Sequence, residues 1–242
     1  MVKIILLILS LISTITVHIL ANVLPINDQT TVSILNRLPI FFTPAHYVFF
    51  IWIVIYLLLA SWIWNSIKEY QATRHLPLKR VLLFVITSIL HSIWILFWHF
   101  EQFNYALITM LLLLGTLFLL YTTYPVKQPN WMSRLPISIY FGWAFIMTFI
   151  NLDYLLTFYE FSGLGITKSL WTVILLTIAT AIALHFRYHF ADRAIVLVFI
   201  WTFLGLACRH LFNELLISTA SIFLSSVLVV GIFFIKKTPP KE

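Results

Sequence analysis

The sequence predicts an all-α fold, a polytopic membrane helix bundle of about eight transmembrane helices, and three observations predict it. Of 242 residues, 62% are hydrophobic and 10% charged, against roughly 45–50% and 25% in an average soluble domain. With a mean hydropathy of +1.01, a water-soluble fold would have no way to cover its apolar surface, so the surrounding solvent is lipid. Second, segments free of Asp, Glu, Lys and Arg recur along the chain, most of them close to the roughly 20 residues that cross a hydrocarbon core. Third, the basic residues alternate from one connection to the next.

The segments run 4–22, 41–67, 81–100, 102–124, 135–152, 169–186, 194–208 and 215–235. Pro25, Pro39, Pro44, Pro77, Pro125, Pro129 and Pro136 lie in or beside the connections, where helix breakers belong. The seventh segment is the shortest, and its last turn is expected to take in Arg209 and His210. No segment alternates with period two, and only helices or a closed barrel satisfy the backbone in lipid.

Sidedness follows from the Lys and Arg in the connections. With the N-terminus inside, Lys3, Lys68, Arg74, Lys79, Arg80, Lys127, Arg134, Arg187, Arg193, Lys236, Lys237 and Lys241 fall on the cytoplasmic side, and Arg37, Lys168 and Arg209 outside. Both termini are therefore expected in the cytoplasm, in a multi-pass protein of the cell membrane. The pI near 9.6 is accounted for by this sidedness, and no nucleic-acid partner is expected. Residues 1–21 also fit a signal peptide cut after Ala21. A stretch of this length favours a retained first helix, and cleavage would leave seven spans.

No ionised side chain lies in the middle of a span. Such groups mark proton relays, ion paths and counter-ions, so their absence argues against a proton-coupled transporter, a retinal protein and a carboxylate–metal enzyme. No phosphate-binding loop, nucleophile elbow or zinc-protease motif occurs, and no catalytic constellation is recognised. The single cysteine, Cys208, excludes an intrachain disulfide framework and reads as a small core residue. His91 and His99, eight residues apart on one helix, are separated by about 12 Å, too far for one metal. His18, His46, His75, His185, His189 and His210 fall near span ends or in loops. His185 and His189 would share a metal only if the sixth span continued as helix through Arg187. Leu184, Tyr188 and Arg193 match a cholesterol-type pattern that is weak and abundant. Ala179 and Ala183 form a small-residue face that suits either a neighbouring helix of the same bundle or a second copy.

The chain holds nine Trp, ten Tyr and 22 Phe. Trp62, Trp64, Trp131 and Trp171 suit the interfacial belts. Others lie deeper and share helix faces: Trp52 with Tyr56 in the second span, His91 with Trp94 and Trp98 in the third, Tyr140 with Trp143, Met147 and Asn151 in the fifth. Such faces fit a flat, largely apolar ligand, with an indole N–H, a phenol or an amide to orient it. The same spacing also suits helix-to-helix packing, and residues alone leave both open.

Three stretches resemble the translocator protein / tryptophan-rich sensory protein (TspO/MBR) family. Pro44 to Tyr56 (PAHYVFFIWIVIY) resembles its second-helix P-x-x-W-V-F-x-x-x-W-x-x-x-Y, Ser88 to Trp98 (SILHSIWILFW) its third-helix Q-L-x-L-N-x-A-W-x-P-x-F-F, and Tyr140 to Asn151 (YFGWAFIMTFIN) its fifth-helix Y-L-x-W-x-x-F-A-x-x-L-N. The resemblance covers residues 1–157 and implies a five-helix domain, to which 158–242 add a three-helix region. It implies binding of tetrapyrroles such as porphyrins, of sterols or of aromatic drugs, in a pocket between spans two, three and five. Carried over by position, Trp52, Trp94, Trp143 and Asn151 line that pocket with Tyr56 and Tyr140 beside it; His91, a polar group that spacing places near the membrane centre, completes the candidate ligand-binding set. No cofactor is obligatory; a tetrapyrrole is the implied ligand, and a homo-oligomer is allowed.

The chain departs from the family pattern at His91, which replaces an Asn, at Ile95 and Leu96, which replace prolines, and at Tyr47, which replaces a Trp. Nothing after Asn151 corresponds to the family's sterol motif. The alternative function is a facilitator that moves a small apolar molecule without a coupling ion. An intramembrane enzyme using His91 is less favoured, because the span supplies that histidine no carboxylate partner.

Overall fold

A computed structural model describes residues 1–24, 26–125 and 133–235. Pro25, Lys127, Pro129, Trp131, Lys236, Lys237 and Lys241 lie outside the described residues. Among those described the chain is helical, with no strand beyond an isolated bridge between Ile26 and Gln29. The helices are α1 (Val2–Val23), α2 (Thr31–Arg37), α3 (Ile51–Thr73), α4 (Leu78–His99), α5 (Phe103–Tyr121), α6 (Leu135–Phe158), α7 (Lys168–Phe190), α8 (Ala194–His210) and α9 (Leu215–Phe234).

Seven of these are long and apolar enough to cross a membrane, and α8, with 17 residues, is the shorter apolar one. At 1.5 Å per residue α8 spans about 25 Å, and it ends at His210, taking in Arg209 as the sequence required. The short α2 is an addition to the predicted spans. Its start is set by Thr30, whose hydroxyl accepts from the Ser33 amide while the Ser33 hydroxyl accepts from the Thr30 amide, a reciprocal cap. Pro136 stands in the first turn of α6, where its missing N–H costs nothing. Asp192 caps α8 by accepting from the amides of Ala194 and Ile195 at 2.9 and 3.1 Å.

The chain forms two compact units. The first comprises Met1–Ile40 and Trp52–Tyr159, with α1 packed on α4, α4 on α5 and α5 on α6. Basic residues gather at one end of it. Lys3 Nζ donates to the Leu76 carbonyl at 2.8 Å, and Arg80 donates to the Thr123 carbonyl at 3.1 Å with its guanidinium over the Tyr124 ring. At the opposite end, Arg37 pairs with Glu101 at 2.7 Å.

The second unit comprises Phe41–Ile51 and Glu160–Glu242. Its helices α7, α8 and α9 pack on one another, and the 3-10 turn His46–Phe50 lies against α8. That turn is tied down by backbone: the Ala45 amide donates to the Gly205 carbonyl at 3.0 Å, and Trp201 Nε1 donates to the Val48 carbonyl at 3.2 Å. Ala179 and Ala183 are fully buried, so their small-residue face is covered by the chain itself.

Trp62 is buried, and its indole donates to the Tyr124 hydroxyl at 2.6 Å. It lies on the inward face of α3 with Ile55, Leu59, Ile63 and Ser66, all buried at helical spacing. Cys208 is exposed rather than a core residue; lipid is as apolar as a core, so a thiol on α8 gains nothing by turning inward.

Candidate functional site

All seven candidate ligand-binding residues lie in the first unit, and three helices bring them together. Trp52 and Tyr56 come from α3, His91 and Trp94 from α4, and Tyr140, Trp143 and Asn151 from α6. Each helix presents its members three, four or eight residues apart, and so on one face. Tyr56 is half-buried; the other six are buried.

Trp52 is the hub. Its ring centroid lies 4.9 Å from His91, 5.8 Å from Tyr56 and 6.1 Å from both Tyr140 and Trp143. These are edge-to-face contacts except for Tyr56, which is stacked. Both geometries suit the quadrupoles of aromatic rings. His91 meets Trp94 at 5.8 Å. The Trp94 indole nitrogen donates to Asn151 Oδ1 at 3.0 Å, and Asn151 Nδ2 donates to the Met147 carbonyl at 2.7 Å, so the amide is held at both ends.

An eighth member was missed by sequence reading. His18, on α1, lies with its ring 4.8 Å from Trp52 and 5.5 Å from His91. Its Nδ1 is 3.2 Å from His91 Nε2 and 2.7 Å from the Tyr56 hydroxyl, and His91 Nδ1 is 3.0 Å from the Tyr140 hydroxyl. One proton arrangement accommodates the three contacts: Tyr56 O–H donates to the single lone pair of His18 Nδ1, which His91 Nε2–H shares at the longer 3.2 Å distance as a three-centre contact, while Tyr140 O–H donates to His91 Nδ1. Four helices thus contribute to one hydrogen-bonded chain of side chains, Tyr56–His18–His91–Tyr140. His18 falls on the inward stripe of α1 with Leu7, Leu11, Thr14 and Ala21, a stripe that an apolar sequence on every face does not mark.

Beyond Trp94 the cluster continues through Trp98, whose ring packs on Tyr154 at 4.8 Å and Phe103 at 5.4 Å. The Tyr154 hydroxyl accepts from Arg37 Nη2 at 3.3 Å. Arg37 Nη1 donates to Glu101 Oε1, which also accepts from Gln29 Nε2 at 2.9 Å. The Arg37 guanidinium holds the Glu101 carboxyl below its ordinary value, and Glu101 in turn raises the Arg37 value. His99 closes this end: its Nε2 is 2.9 Å from the Thr31 hydroxyl and its Nδ1 3.1 Å from the Gln29 carbonyl. It ties the chain before α2 to α4 and is no part of the His18–His91 contact.

The arrangement offers wide ring surfaces, a few neutral polar atoms and two imidazoles. Among the described residues no group of three or more His, Cys, Asp and Glu is placed to hold a metal ion. The sixth span does continue through Arg187, and the rings of His185 and His189 lie 4.4 Å apart, with no third ligand among the described residues.

A family described as TSPO-like protein matches the chain over residues 4–234. The match therefore runs through α7, α8 and α9, well past residue 157 where the motif resemblance stops. No curated protein and no solved structure matches the chain.

Proposed function

The chain belongs to the TSPO-like family and is a multi-pass membrane protein related to TspO/MBR, and from that premise we propose that it binds a planar apolar ligand, tetrapyrrole- or sterol-like, between α3, α4 and α6. One observation carries the reading. Of the seven residues chosen from three separated spans, Tyr56, His91, Tyr140 and Trp143 surround Trp52, and Trp94 with Asn151 joins the cluster through His91. A flat hydrocarbon ring system gains most where indole and phenol faces are available on several sides. In this reading Trp52 and Trp143 stack on the ligand, and Trp94 with Asn151 orients it. The protein acts in the cell membrane with both termini in the cytoplasm, the arrangement that the distribution of Lys and Arg favours.

The test is quenching of intrinsic tryptophan fluorescence by protoporphyrin in lipid nanodiscs. Saturable quenching is expected, with affinity at least tenfold weaker in Trp52→Phe and in Trp143→Phe, about 1.4 kcal/mol. If both variants titrate like the parent, the ligand is not in this cluster. A facilitator would instead move porphyrin across a sealed vesicle irrespective of a pH or sodium gradient.

A further inference from the structure

The ligand reading leaves the His18–His91 contact unused. Two imidazoles from different helices face each other at 3.2 Å, with the Tyr56 and Tyr140 hydroxyls at either side. These two phenols, from α3 and α6, are the titratable groups bonded to the pair; α1 and α4 supply the histidines themselves. His99, the next titratable group along α4, is turned to Thr31 and to the Ile26 and Gln29 carbonyls. Among the described residues, no lysine, arginine or carboxylate is bonded to either histidine.

We propose that this site takes planar apolar ligands that carry a carboxylate, and that it binds one proton with each, held on the His18–His91 pair. The inference rests on the ligand reading above and adds the chemical class of the ligand.

A carboxylate brought among apolar spans needs a counter-charge, because an isolated ion there is very costly. The cluster contains no fixed cation. Histidine is the side chain that supplies a positive charge on demand near neutral pH, and here two stand together. The network also offers the added proton an acceptor in the Tyr140 oxygen. When the added proton sits on His91 Nδ1, that N–H donates to the Tyr140 oxygen, while His91 Nε2–H keeps His18 Nδ1 as its acceptor. The Tyr140 hydroxyl hydrogen is thereby released and turns to the ligand's carboxylate. The proton comes from bulk water, and no bond in the ligand is made or broken. Trp52 lies 4.8 and 4.9 Å from the two rings, edge to face with both. An asparagine in place of His91 would do none of this, since an amide takes no proton.

The experiment compares pyropheophorbide a, which has one carboxylate, with its methyl ester, using tryptophan quenching and calorimetry on the full chain in nanodiscs. The acid is expected to bind at least tenfold tighter than the ester at pH 6, and to weaken as pH rises. Calorimetry in buffers of different ionisation enthalpy should report uptake of about one proton per acid bound and none per ester, by linkage. In His91→Asn and in His18→Gln the ratio of acid to ester affinity should fall to about one. Equal affinities of acid and ester for the parent protein, or acid preference without proton uptake, would overturn the proposal while leaving the ligand reading intact. Binding of neither compound would remove the ligand reading, and this one with it. The parent comparison decides the matter even if both variants fail to fold.

Discussion

The indole nitrogen of Trp94 on α4 donates to Oδ1 of Asn151 on α6 at 3.0 Å, with both side chains buried. Polar contacts of this kind between membrane helices average about 0.6 kcal/mol and reach about 1.7. Asn151→Leu removes the acceptor and leaves a buried N–H unpaired, which adds a desolvation cost. The expected loss is about 1–2 kcal/mol in reversible unfolding from mixed micelles. Trp94→Phe combined with Asn151→Leu should cost less than the two single losses added, because neither partner is then left alone. Strict additivity would mean that the contact contributes nothing in the folded state.

The same cluster marks what a membrane sequence reveals. Trp52 with Tyr56, His91 with Trp94, and Tyr140 with Trp143 and Asn151 were legible because each set lies on one helix at spacings of three, four or eight. Aromatic and polar residues also stand out against Leu and Ile. His18 was not legible, since its partner His91 lies 73 positions away and the inward stripe of α1 is hidden. Leu7 and Leu11 face inward, yet Ile5, Leu9 and Ile12 face outward, and hydropathy does not separate them when the solvent is lipid. The capped α2 and the turn at His46–Phe50 depend on local hydrogen bonds that the long apolar segments outweigh in any hydropathy reading.

Gly205 supplies the close contact that seats this turn on α8. A Cβ there would overlap Val48 Cγ2 and come within 3.1 Å of Pro44 Cβ, while the Gly205 carbonyl is already bonded to the Ala45 amide. The helix cannot retreat without breaking that bond. Gly205→Ala should therefore destabilise by about 1–3 kcal/mol, the usual range for overpacking. Val48→Ala makes room at the atom that is overlapped, so the double variant should regain part of the loss. A thermal shift assay in detergent reads both, and a Gly205→Ala protein as stable as the parent would show that the turn is not packed this closely.

Sidedness is open to a labelling experiment. In a Cys208→Ser background, the exposed positions Gln71 and Ser162 each receive a single cysteine. Gln71→Cys lies among the basic residues of the α3–α4 connection and should react with a membrane-impermeant maleimide only after permeabilisation. Ser162→Cys, in the connection before α7, should react in intact cells. The reverse pattern would invert the orientation and with it the assignment of both termini to the cytoplasm.

Arg37 and Glu101 give the pH response of the end opposite to Lys3. The pair is about one-third exposed on each side chain, so its worth is that of a screened contact, about 0–1 kcal/mol. The sign follows from Glu101, whose folded value is held below its ordinary one by Arg37. Such a group contributes its full stabilisation above the unfolded carboxyl value, about 4.3, and loses it as pH falls through the lower folded value. Arg37 stays protonated throughout this window and adds no step of its own. The stability difference between the parent and Glu101→Gln should therefore be constant from neutral pH down to about pH 5, then shrink to nothing on further acidification. Added salt should reduce the neutral-pH difference, since exposed charges are screened. A difference that grew on acidification would mean that Glu101 gains its stability from something other than its ionised contact with Arg37.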